Sequence, residues 1–96
     1  MDMLKTADFA PLAGKPAHLK GTPFTLTLDR VEGGDGPPPP GYQRAPFIVI
    51  FRGAKGEVVP NGMYDCVFEG GPVINLHLMP IHTASPDRQE YQSVFS

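Results

Sequence analysis

The sequence has little of what several classes of protein require. Its single cysteine, Cys66, excludes an intramolecular disulfide and a cysteine-based zinc site. The longest strictly apolar run, residues 46–51, is far shorter than the roughly 20 residues that a membrane-spanning helix needs. Eight basic residues against ten acidic ones give a net charge of −2, which argues against a nucleic-acid-binding surface. We therefore expect neither a membrane nor a nucleic acid as partner.

Signals for secretion and for catalysis are also missing. Residues 1–15 lack a basic start followed by an apolar run, so we expect no signal peptide. We therefore expect the protein to be cytoplasmic or incorporated into an assembled particle. The chain has no phosphate-cradling glycine loop, no G-x-S-x-G elbow and no H-E-x-x-H helix, and its carboxylates are scattered. We predict that the protein is not an enzyme and binds no cofactor.

Glycine and proline, by contrast, are abundant, with 11 and 12 copies among 96 residues. Eight of these 23 lie in residues 33–41, GGDGPPPPG, which we predict to be a surface loop of a single β domain spanning residues 1–96. The four consecutive prolines favour a short polyproline II segment, which could dock into an aromatic groove of a partner protein. These candidate binding residues are Pro37, Pro38, Pro39 and Pro40.

The rest of the chain has the alternation of antiparallel strands. In residues 23–31, apolar Phe24, Leu26 and Leu28 alternate with polar side chains, as in a half-buried strand. Further extended segments, separated by glycine and proline turns, are predicted at residues 44–53, 57–59, 63–69, 73–82 and 89–95. The pattern predicts an all-β fold, a small antiparallel barrel or sandwich of about six strands.

A short helical turn is predicted ahead of the strands, within residues 6–14. Thr6 can cap its amino-terminal end, and Gly14 can close it in the left-handed conformation. Phe9 and Leu12 lie three residues apart and so share one face of the turn. We expect these two side chains to plug one end of the core.

The strand predicted at residues 44–53 is apolar on both faces. Ile48 and Ile50 lie on the face opposite Phe47, Val49 and Phe51. Two-sided burial requires two covering layers, which in so small a domain could be a second sheet, the amino-terminal turn or another subunit. We therefore predict self-association or a protein partner, with Ile48 and Ile50 at the interface if the chain itself does not cover that face.

Two arginines, Arg44 and Arg52, bracket this apolar strand. They could grip the acidic rim of a partner, which makes them candidate binding residues. The other interpretation is that they pair with nearby carboxylates of the same chain, or act as charged gatekeepers beside an aggregation-prone strand.

The hairpin that follows allows two registers. With a two-residue loop, Cys66 becomes a diagonal neighbour of His77, and a Cys/His nucleophile pair is conceivable. With a three-residue loop over residues 70–72, Cys66 opposes Leu76, and the apolar side chains of both strands share one face. The second register matches the hydrophobic pattern better. It predicts a buried, unreactive Cys66 and a water-facing His77.

One metal alternative comes from His77 and Met79, which share a strand face. Imidazole plus thioether suits copper, especially Cu(I). The competing interpretation is that both are ordinary solvent-side residues near a loop, and no other metal site is predicted.

Three motifs are spread along the chain: R-x-P-F-x-x-x-F-R-G at residues 44–53, P-x-G-x-Y at residues 60–64 and Y-x-x-V-F at residues 91–95. Their order resembles an uncharacterised bacterial family of domains of unknown function, about the length of this chain. The resemblance implies no activity and no functional residues. It does imply an association with phage-tail-like proteins.

These observations lead to two functional predictions. The first is a non-enzymatic structural or adaptor module that acts through protein–protein contacts, in a phage-tail-like or surface assembly. The alternative is a small-ligand-binding β-barrel. Such a barrel would need an interior cavity, lined by Phe47, Phe51, Tyr64 and Phe68.

Overall fold

The computed structural model describes residues 4–34, 37, 40–41, 45–82 and 87–95. Its elements are a helix α1 (Thr6–Phe9), a 3-10 turn (Ala10–Leu12), and the strands β1 (Pro16–Leu19), β2 (Thr25–Gly33), β3 (Phe47–Ala54), β4 (Gly62–Phe68), β5 (Val73–Ile81) and β6 (Arg88–Phe95). The strands pair antiparallel and close into a barrel in the order β1-β2-β3-β6-β5-β4. The all-β prediction is confirmed, with the barrel as its form. No helix within the described ranges is long and apolar enough to cross a membrane.

The barrel interior is packed with apolar side chains that every strand contributes. Alternate residues along a strand point to opposite faces, so each strand supplies one or more side chains to the interior. The buried core comprises Phe9, Leu12, Ala17, Leu19, Leu26, Leu28, Phe47, Val49, Phe51, Val59, Cys66, Phe68, Leu76, Leu78 and Tyr91. The inward positions predicted for Leu26 and Leu28 in β2, and for Phe47, Val49 and Phe51 in β3, are therefore confirmed.

Strand β2 contains a bulge that the sequence pattern did not predict. Leu28 pairs with Phe51, and the next pair along the ladder is Arg30 with Ile50, so Asp29 is an extra residue in β2. A bulge of this kind lets two successive side chains point to the same face. It keeps Arg30 out of the apolar interior and turns Val31 toward the core instead.

The amino-terminal turn closes one end of the barrel, as predicted. Phe9 and Leu12 are both buried in the core, and Gly14 adopts a left-handed conformation with φ of +83°. The predicted cap was wrong, because Thr6 is the first helical residue. The carboxylate of Asp8 instead accepts a hydrogen bond of 2.7 Å from the backbone N–H of Lys5.

The β4–β5 hairpin has the predicted faces and a different register. Cys66 pairs with Ile74 rather than with Leu76, which shifts the ladder by two residues. The backbone N–H of Phe68 donates to the carbonyl oxygen of Pro72 at 3.1 Å, so the loop is residues 69–71. The predicted loop over residues 70–72 was wrong. Because a shift of two preserves the alternation, Cys66 still faces the interior.

Two extended segments differ from the prediction. Strand β1 was not expected as a strand, yet it pairs with β2 on one side and β4 on the other. Residues 57–59 were expected to be extended and belong to no strand. The Tyr91 hydroxyl accepts from the backbone N–H of Val59 at 3.0 Å and donates to the carbonyl oxygen of Glu57 at 2.9 Å. A side chain from the core thus takes the place of a partner strand.

Candidate functional site

The two isoleucines predicted at an interface lie on the outer face of β3 in different surroundings. Ile50 is only 3% exposed, and its cross-strand neighbours are Arg30 and Gln92. Its own chain therefore covers it, and it contributes little area to an interface. Ile48 is half-buried and pairs with Val94, which is 54% exposed. The exposed apolar surface of this face is thus the pair Ile48–Val94, which we call the β3–β6 patch.

The proline-rich segment begins beside the β3–β6 patch. Gly33 pairs with Phe47, and the backbone N–H of Gly34 donates to the carbonyl oxygen of Pro46 at 3.0 Å. Pro37 and Pro40 are exposed. Three of the predicted binding residues, Pro38, Pro39 and Arg44, lie outside the described residues.

The other predicted arginine, Arg52, belongs to a cluster of charges on the outer face of β2, β3 and β6. One guanidinium nitrogen of Arg52 donates to Asp29 Oδ1 at 2.6 Å, and Arg30 donates to Asp29 Oδ2 at 2.6 Å. Arg88 lies 2.7 Å from Glu90 Oε2. This ion cluster comprises Asp29, Arg30, Glu32, Arg52, Arg88 and Glu90.

The ion cluster balances three positive charges against three negative ones. Burial opposes the ionisation of Asp29, but hydrogen bonds from Arg30 and Arg52 and the charge of Arg88 outweigh it, so the pKa of Asp29 is lowered. Hydrogen bonds to Glu32 and Asp29 raise the pKa of Arg30 further above its ordinary value. Arg52 therefore pairs within its own chain, which is one of the two interpretations left open by the sequence.

The thiol and the imidazole of the β4–β5 hairpin lie on different faces. Cys66 faces the interior and is fully buried, and burial together with the negative charge of Asp65 raises the pKa of its thiol to about 12. His77 is exposed, with its Nε2 2.6 Å from Asn61 Oδ1. Met79 is half-buried and pairs with Gln92. Within the described ranges, no group of three or more His, Cys, Asp or Glu side chains could hold a metal ion.

The aromatic side chains proposed to line a ligand cavity belong mainly to the core. Phe47, Phe51 and Phe68 are buried, and the rings of Phe51 and Phe68 lie 6.2 Å apart. Tyr64 is half-buried, and its hydroxyl donates to the carbonyl oxygen of Pro60 at 2.7 Å. These four side chains therefore contribute to packing.

A concave site lies instead on the outside of the barrel, over β1. This β1 groove has a volume of about 250 Å³ and is lined by Pro16, His18, Thr25, Val67 and Glu69. The half-buried Pro16 and Val67 make its floor apolar, and the exposed His18, Thr25 and Glu69 make its rim polar. None of these residues belongs to a motif or pattern that the sequence offered as a candidate site.

Comparison with known proteins places the chain in a family. Residues 4–95 match the family model described as a domain of unknown function (DUF6916). The chain belongs to the DUF6916 family. This confirms the expectation of a small domain of unknown function, and the family's description supplies no activity. Neither the search of curated proteins nor the search of solved structures found a match.

Sequence reasoning missed two features of this DUF6916 domain for different reasons. The ion cluster had a visible signal, since strict alternation along β2 would have placed Arg30 on the apolar face with Leu26 and Leu28. A charged residue at an inward position indicates a bulge. The β1 groove had no such signal, because its residues come from three strands and the loop after β4 and follow no motif.

Proposed function

We propose that this DUF6916 domain is a non-enzymatic structural or adaptor module that acts through protein–protein contacts. Within this proposal the partner is a second copy of the chain or a component of a phage-tail-like or surface assembly. The assembly type rests on the motif resemblance alone.

The observation that carries the proposal is the β3–β6 patch. Val94 is 54% exposed on a regular strand, and its cross-strand neighbour is the half-buried Ile48. Exposed apolar side chains cost free energy in water, about 25 cal/mol for each Å² that a partner would cover. The proline-rich segment, in which Pro37 and Pro40 are exposed, starts at this end of the barrel. An exposed apolar pair next to the start of such a segment suits a protein partner.

The size of the patch bears on the kind of contact. A stable protein interface covers about 800 Å² on each partner, and two aliphatic side chains supply only a fraction of that area. The patch is therefore the centre of a larger contact, or it supports weak association that becomes stable when many copies assemble.

The test uses two valines of equal exposure. Val94 and Val58 are each 54% exposed, but Val58 lies outside the strands, after β3. We expect V94K to abolish self-association measured by light scattering at increasing concentration, and V58K to leave it unchanged. A photo-crosslinking amino acid at position 94, but not at position 58, should give a discrete product in cells that express the native protein. A wild-type monomer at every concentration, together with no product from position 94, would refute the proposal.

A further inference from the structure

The β1 groove has a defined place in the barrel. Thr25, His18 and Val67 are successive cross-strand neighbours on β2, β1 and β4, so they form one row across the outer face. The backbone N–H of Glu69 donates to the carbonyl oxygen of Pro16 at 3.1 Å, which places these two residues side by side at one end of the row. Backbone pairing from three strands therefore fixes the walls of the groove.

The depression itself follows from the outward side chains of β1. This strand has four residues, and only Pro16 and His18 face outward, since Ala17 and Leu19 are buried. The carbonyl oxygen of Thr22 lies 2.8 Å from His18 Nε2 and can only accept, so His18 donates through that nitrogen. The bond holds the imidazole toward the β1–β2 turn and leaves the compact proline ring and Val67 as a shallow floor.

The rim of the groove is rich in hydrogen-bond acceptors. Among the described residues, the exposed Glu69 carboxylate has no hydrogen-bond or ion-pair partner. The Thr25 hydroxyl can also accept, and so can Nδ1 of a neutral His18. An apolar floor beside an unpaired carboxylate complements a side chain that has an aliphatic stem and a cationic end.

We propose that the β1 groove binds a basic side chain, lysine or arginine, of a protein partner. The inference rests on the proposed function, since it specifies a feature of the partner's surface. The volume of about 250 Å³ supports it, because the sites of drug-sized ligands and cofactors are generally larger, about 300–1,000 Å³. The aliphatic stem would lie on Pro16 and Val67, and the cationic end would pair with Glu69.

The experiment titrates the labelled protein with Nα-acetyl-lysine N-methylamide and with the corresponding arginine compound, and follows backbone amide signals by NMR. We expect shifts confined to residues 17–18, 25 and 67–69. The norleucine compound, which has the stem without the charge, should bind more weakly. Equal shifts with norleucine, or shifts spread over the surface, would overturn the proposal with no variant required.

A matched pair of variants tests the carboxylate. E69Q should weaken binding of the lysine compound about threefold, as expected for one exposed ion pair. E57Q makes the same charge change at another exposed glutamate, in the segment held by Tyr91, and should leave binding unchanged. Equal affinities for wild type and E69Q would contradict the assignment of Glu69.

The source of the cation and the independence of the two proposals are tested in the same titration. n-Butylammonium carries the stem and charge without a peptide, so it should bind about as tightly as the lysine compound. Much tighter binding of n-butylammonium would indicate a free amine as the ligand and would overturn the protein-side-chain assignment. E69Q should leave crosslinking from position 94 intact. No NMR response of the wild-type protein to the lysine compound, together with crosslinking from position 94, would reject the groove proposal alone. An NMR response without crosslinking would reject only the β3–β6 patch.

Discussion

At the scale of single residues, Cys66 makes the stability of the domain sensitive to pH in the alkaline range. Its thiol has a pKa of about 12 in the folded protein against an ordinary 9.0. Between these values the unfolded chain releases its proton while the folded chain keeps it, so stability falls as pH rises through this window, by at most about 1.4 kcal/mol per pH unit. We expect urea unfolding to show this decrease for wild type and a shallower one for C66A.

Thiol chemistry checks the same residue independently. The folded protein should react slowly with a thiol reagent, and the rate should rise with denaturant because the thiol becomes accessible on unfolding. Identical pH slopes for wild type and C66A, or fast reaction without denaturant, would contradict the buried, protonated state.

At the scale of elements, the ion cluster joins three strands through Asp29. The carboxylate pairs with Arg30 on its own strand, with Arg52 on β3 and with Arg88 on β6. We expect D29N to lower the free energy of unfolding by about 1–2 kcal/mol, because partly buried arginines lose a charged acceptor. E32Q, at the more exposed end of the cluster, should cost less than about 0.5 kcal/mol.

Acid sensitivity provides a second measurement of the same cluster. Because the pKa of Asp29 is lowered, its pairing contributes fully above its ordinary value of 3.8 and is lost as pH falls through the folded-state pKa. The difference in unfolding free energy between wild type and D29N should therefore shrink below about pH 4. If the difference between wild type and D29N stayed constant as the pH fell below about 4, the charge of the Asp29 carboxylate could not be its cause.

The same elements show how far sequence reasoning reached. Alternation identified the buried side chains of β2 and β3, because inward positions in these two strands are occupied by apolar residues. It could not fix the β4–β5 register, since a shift of two residues leaves every side chain on the same face. Strand β1 was not predicted, because four residues with one proline give too short a pattern. Its pairing also depends on partners distant in sequence.

At the scale of the whole molecule, the candidate interaction surfaces were harder to predict than the core. The outer face of β3 was identified from its apolar residues, but exposure there depends on what the neighbouring strands place beside each residue. Arg30 and Gln92 flank Ile50, whereas Ile48 pairs with the exposed Val94. Which of two similar isoleucines is accessible is thus a property of the closed barrel, and no local pattern encodes it.

The stability of the barrel also depends on the amino-terminal turn that fills one of its ends, which we call the plug. The Phe9 ring is fully buried, and its centroid lies 6.1 Å from that of Phe47 and 5.4 Å from that of Phe95. Replacing a buried phenylalanine by alanine costs about 3–5 kcal/mol, against a total stability of roughly 5–14 kcal/mol for a domain of this length. We expect F9A to lower Tm by about 15 °C or more in a calorimetric scan.

A second phenylalanine provides the comparison for this prediction. Phe24 is half-buried and packs against the same core from outside the strands, just before β2. F24A removes the same atoms, but the Phe24 side chain buries less apolar surface than that of Phe9. We therefore expect F24A to lower Tm by less than half as much as F9A. Equal losses for F9A and F24A would mean that the plug is only one apolar contact among many. A much larger loss for F9A would show that the barrel is stable only when the segment outside its strands fills its end.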